Sequence, residues 1–113
     1  MLFSVERSQI TEVAHKREFH QRIKNLSNED YQAIVDELNR VINGGDVHTS
    51  SWIPGSDWRG TLYEPIWIAC RKNDEVAAKF YGQILYQVMI DHPEKWCFGD
   101  YPHAKGKTYF KIN

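Results

Sequence analysis

The chain has 113 residues, 42% of them hydrophobic and 26% charged, and a formal net charge of -1. That length suits one domain, 1–113, with a core of its own, because only chains below about 40 residues usually need disulfides or metals to fold. The near-zero charge argues against broad electrostatic capture of nucleic acid, which relies on clustered Lys and Arg, and the composition is not that of a disordered chain.

The N-terminal MLFSVERSQ has no apolar core of signal-peptide type, and no apolar run approaches the roughly 20 residues of a bilayer span. Cys70 and Cys97 lie in the apolar runs IWIAC and WCF. They read as buried thiols of a reducing compartment, with a single disulfide as the alternative. A cytoplasmic location is the expectation.

Leu2, Phe3 and Val5 suggest a short first strand. Ser8 then offers an N-cap, and propensity favours a helix from Gln9 to about Lys24 with a basic outer face. The second helix is expected at 28–43. Ser27 is its cap, Glu29 and Asp30 suit its N-terminal end, and Gly44-Gly45 stops it. Tyr31, Ile34, Val35, Leu38, Val41 and Ile42 recur at helical spacing and give it one apolar face.

A loop-like stretch follows from Asp46 to Thr61. Pro65 then suits the first turn of a third helix that ends near 71–73. Asp74 is the expected cap of a fourth helix at 75–91. Its apolar residues (Val76, Ala77, Phe80, Tyr81, Ile84, Leu85, Val88, Met89) fall in pairs four apart, and Tyr86 and Ile90 extend them almost all round. Such a helix belongs at the centre of a fold. Gly82 in its middle suggests close approach of another backbone or an indole. Beyond Pro93, segments 95–99 and 107–112 alternate apolar residues around turn chemistry. They suggest a small C-terminal antiparallel β-hairpin, joined by residues 2–5. The expected fold is a single compact α+β domain with about four helices.

Function points first to DVHTSSWIPGSDWRGT, residues 46–61. It carries Trp52 and Trp58, whose rings bury on the order of 150–250 Å² each and which a simple linker does not need. His48, Ser50, Ser51, Asp57 and Arg59 lie in the same stretch. One expectation is a small binding or regulatory protein that presents this ordered loop to a protein partner or small anionic ligand. Trp52 and Trp58 would be anchors, Arg59 the charge clamp, and His48, Ser50 and Asp57 hydrogen-bonding groups. An inhibitor encoded by a mobile element is one version of it. The alternative is a small hydrolase or nuclease, with His48 as general base, Ser50 or Ser51 as nucleophile or oxyanion donor, and Arg59 on the anion. No G-x-S-x-G elbow, Walker A loop or H-E-x-x-H supports catalysis.

Metal and cofactor are not expected. His15 and His20 stand about 140° apart on an ideal helix, and closely spaced Cys or His pairs are missing. His92, Cys97 and His103 would have to converge from the C-terminal tail. Nucleic-acid binding is disfavoured because Glu12 and Glu18 interrupt the basic run on the first helix. The surplus of tyrosines also suits a homodimer.

Overall fold

A helix that is apolar nearly all round must be covered nearly all round, and the fold is arranged to do so. In a computed structural model of the chain, the described residues are 1–45, 58–99 and 108–112, with the backbone alone of 47–49. The central helix α4 runs Asp74–Asp91, and eight of its residues, from Ala77 to Met89, are buried. Around it lie α1 (Lys16–Ile23), α2 (Asn28–Ile42) and α3 (Glu64–Ala69), and the strands β1 (Leu2–Phe3), β2 (Gln9–Ile10), β3 (Val47–Thr49), β4 (Trp96–Gly99) and β5 (Thr108–Lys111).

The strands form one mixed sheet in the order β2-β1-β4-β5-β3. β1 runs parallel to β4, with Leu2 opposite Trp96. The other three pairings are antiparallel, including β4 with β5, where Phe98 faces Tyr109. The hairpin read from the C-terminal sequence is therefore the centre of a wider sheet, and residues 2–3 do join it. Aromatic rings carry the contacts between α4 and its cover. Phe80 meets Phe19 of α1 edge-on at 6.2 Å. Tyr86 meets Phe98 of β4 at 5.6 Å and Tyr109 of β5 at 6.4 Å. Among the described residues no helix is long and apolar enough to cross a membrane.

Local chemistry explains the helix ends. Ser27 Oγ accepts the Asp30 N–H at 3.0 Å, which caps α2 as expected. α3 ends in a Schellman turn. Lys72 N–H reaches the Trp67 carbonyl at 2.8 Å and Arg71 N–H the Ile68 carbonyl at 3.0 Å. Both residues take left-handed φ values, 56° at Arg71 and 61° at Lys72.

Five expectations need correction. The helix expected from Gln9 begins only at Lys16, because Gln9 and Ile10 pair with β1. Ser8 closes a turn instead of capping a helix, its carbonyl accepting the Ser4 N–H at 2.9 Å. Strand pairing here outweighs helix propensity, which is a weak preference. The stretch 46–61 is not loop throughout, since 47–49 is a strand on β5. The cap of α4 is Asn73, whose Oδ1 accepts the Val76 N–H at 3.1 Å, while Asp74 instead accepts from the Trp67 indole at 2.8 Å. Finally, among the described residues a Cβ built at Gly82 meets nothing within 4 Å, so none of them explains that glycine by close approach.

The open space at Gly82 gives a direct test. Gly82→Ala should stabilise the protein by about 0.5–1 kcal/mol, through higher helix propensity and a less free unfolded chain. A denaturant titration checks it: the midpoint should rise at unchanged slope.

Candidate binding site

The stretch singled out in the sequence enters from the sheet and leaves through a tight, well-bonded corner. At its entry, β3 lies at one end of the strand order, with His48 opposite Tyr109 and Thr49 opposite Thr108. At its exit, Trp58 is buried, 4% exposed. Its ring meets Tyr81 of α4 edge-on at 6.4 Å, and Tyr63 meets the same Tyr81 at 5.4 Å. Burial pushes the phenol pKa values of Tyr81 and Tyr63 upward, so both rings stay neutral at physiological pH.

Backbone chemistry fixes the turn between these rings. The Trp58 carbonyl accepts the Thr61 hydroxyl at 2.8 Å. The Thr61 hydroxyl oxygen accepts the Tyr63 N–H at 3.2 Å. Gly60 takes φ 73°, a conformation that suits glycine, and its N–H donates to Glu64 at 2.5 Å. Arg59 stands at the exposed corner of this turn. Leu62 and Ile68, on and before α3, are 44% and 53% exposed. Beside Ile68, Trp67 is half-buried, with Lys72 Nζ 5.6 Å from its ring centroid.

Of the residues expected to form the site, the structure thus puts Trp58 in the core and Arg59 on the surface. His48 is placed by its backbone alone. Ser50, Ser51, Trp52 and Asp57 lie outside the described residues, as does His103. Trp58 has little surface left to offer a partner; it packs on Tyr81 of α4. Cys70 and Cys97 are buried free thiols. Cys97 Sγ donates to the Ser4 carbonyl at 3.4 Å, and His92 is engaged elsewhere, so these two are not aimed at a common metal. Among the described residues no group of three His, Cys, Asp or Glu side chains is arranged to hold a metal ion.

A second place was not read from the sequence. A cleft of about 490 Å³ opens between α2 and the end of α4, lined by Tyr31, Asn39, Asn43, Val88 and Asp91 among others. His92 forms part of its wall and is 5% exposed. Its Nδ1 accepts the Glu94 N–H at 3.1 Å and the Trp96 indole N–H at 3.3 Å. Both partners are donors only, so Nδ1 must carry the lone pair. The proton therefore sits on Nε2, which donates to Asn43 Oδ1 at 3.0 Å. Burial lowers the His92 pKa below its ordinary value of 6.5. Glu94, on the same turn, forms an ion pair with Lys111 of β5, which lowers the pKa of its carboxyl.

No family model matches the chain, and neither a curated protein nor a solved structure matches it, so its own geometry is the guide. The division of labour at the corner predicts opposite responses to truncation. Trp58→Ala should cost about 3–5 kcal/mol, the usual range for removing a buried aromatic. Arg59→Ala should cost at most about 1 kcal/mol, as an exposed charge does. Denaturant melts of the two variants check both values.

Proposed function

We propose that this is a small cytoplasmic binding protein with a regulatory role, which engages a protein partner through segment 46–61 and the adjoining surface of α3. One observation carries this reading: Leu62, just before α3, and Ile68, on it, are exposed apolar residues, with Arg59 exposed on the turn that leads into them. Exposed aliphatics beside an arginine match the composition of interface centres, where Arg, Trp and Tyr supply most of the binding energy. The bonded turn at 58–64 also helps, because a surface already held in place loses less entropy on binding. Trp52 is the anchor in this reading, with His48, Ser50 and Asp57 as orienting hydrogen bonders. The cytoplasmic assignment rests on two buried free thiols. A hydrolase built on His48, Ser50, Ser51 and Arg59 has only the backbone position of His48 behind it, and we do not adopt it.

Affinity capture from the native host with a tagged chain tests the proposal. The unmodified chain should retain a protein at stoichiometric level. Leu62→Ser with Ile68→Ser should lose it, and Arg59→Ala should weaken capture by roughly tenfold or more, the scale of a hot-spot arginine. Both variants should keep their melting temperatures. Capture of a second copy of the chain would make the partner a homodimer. Unchanged capture in both variants overturns the assignment, and so does phosphodiesterase activity lost in His48→Ala.

A further inference from the structure

We propose that His92 is an acid-sensitive latch: its neutral ring ties together the ends of α2 and α4 and the start of β4, and protonation releases that junction. The hydrogen-bond count decides this. The ring faces two donors, the Glu94 N–H and the Trp96 indole, and one acceptor, Asn43 Oδ1. A neutral imidazole turns its one lone pair toward both donors, which share it, and its N–H toward the acceptor. An imidazolium has two N–H groups and no lone pair. Whichever way the ring turns, at least one N–H then points at another donor.

The rest of the site does not rescue the charged ring. From the turn after α4, the Glu94 carboxylate favours it, but that carboxylate is paired with Lys111. From β5, Lys111 opposes it, and so does the amino group of Met1, which donates to the carbonyls of His92 and Glu94. α2 presents Asn43 and the phenol of Tyr31, which is neutral at physiological pH because burial and the nearby Asp91 raise its pKa. Asp91 of α4 lines the same cleft, and its carboxylate accepts both contacts of the Gln87 amide at 3.1 Å. Burial adds the largest penalty for charge. The cleft beside the ring offers the imidazolium a wet place to go, because its volume is far above that of a single water.

Release would be felt in the sheet. Trp96 is 1% exposed and packs edge-on against the His92 ring at 5.8 Å. It also begins β4, opposite Leu2 of β1 and Lys111 of β5. The sign of the pH effect follows from linkage. The folded pKa lies below the unfolded value, so between the two the unfolded chain binds more protons. The stabilisation is complete above about pH 6.5, falls as pH drops through that value, and levels off below the folded pKa.

Nitrogen-15 NMR of the full chain tests the latch. At about pH 7.5 the His92 ring should show the Nε2–H tautomer. Titration to about pH 5 should accelerate hydrogen exchange of the Trp96 indole and the Glu94 amide by roughly tenfold or more, after correction for intrinsic rates. His92→Gln keeps one donor and one acceptor but does not titrate, and should abolish the acceleration. Asn43→Asp places a carboxylate at Nε2 and should move the midpoint to higher pH. Either of two results overturns the proposal: a His92 ring that charges with the Trp96 indole still protected, or the same acceleration in His92→Gln. If His92→Gln fails to fold, an unmoved midpoint in Asn43→Asp overturns it instead.

Discussion

The structure depends on covering α4. Three aromatic residues on this helix face three different neighbours. Phe80 meets α1 through Phe19, Tyr81 meets the corner at 58–63 through Trp58 and Tyr63, and Tyr86 meets the sheet through Phe98 and Tyr109. Each such pair adds about 0.5–1.5 kcal/mol beyond the burial of its area. None of these neighbours is a large element in its own right. α1 has eight residues, α3 six, and among the described residues no strand exceeds four. Elements that short are marginal alone, so α4 serves as their common template. The same demand explains why a segment rich in polar residues ends on a tryptophan: Tyr81 needs a ring above it.

The helices that were legible are those whose signals are local. α2 carries its cap, its acidic first turn and its apolar spacing within a single stretch, and it runs Asn28–Ile42 as those signals require. α4 is likewise announced by its own pairs of apolar residues. The sheet was legible only in part. A strand of two or three residues has no period to detect, so Gln9–Ile10 and Val47–Thr49 cannot be told from helix or loop before their partners are known. Val47–Thr49 pairs with residues near the other end of the chain, and such contacts leave no mark on local composition; Gln9–Ile10 pairs with a neighbour, β1, that is itself only two residues long. Asn73 and Asp74 show a finer limit. Both are good capping residues, and the Trp67 indole, seven residues upstream of Asp74, decides between them by claiming Asp74.

The candidate sites divide in the same way. Trp58 and Arg59 were visible as unusual loop content, yet adjacent residues take opposite roles, one in the core and one at the surface. Alternation of that kind is set by which ring α4 needs, and composition does not carry it. His92 drew little notice as a histidine after a helix. Its meaning comes from Asn43, 49 positions earlier, and from Trp96, which reaches it only because Pro93 ends the helix and lets the chain turn back. A histidine followed four residues later by tryptophan across a helix-ending proline is the one sequence signal that was there to be read.

Asn43 gives these two regions a common root. It caps the end of α2, and the chain runs from it through Gly44 and Gly45 to β3. The segment 46–61 is therefore held at its exit by Trp58 on Tyr81, and at its entry by β3 on β5 and by Asn43 under the His92 ring. The contact of Trp58 with Tyr81 at the exit is aromatic packing, which has no group that titrates between pH 5 and 8. The entry includes a hydrogen bond to a group whose ordinary pKa lies inside that range. A partner that needs both ends in place would favour the neutral ring, and by reciprocity the neutral ring would favour the partner.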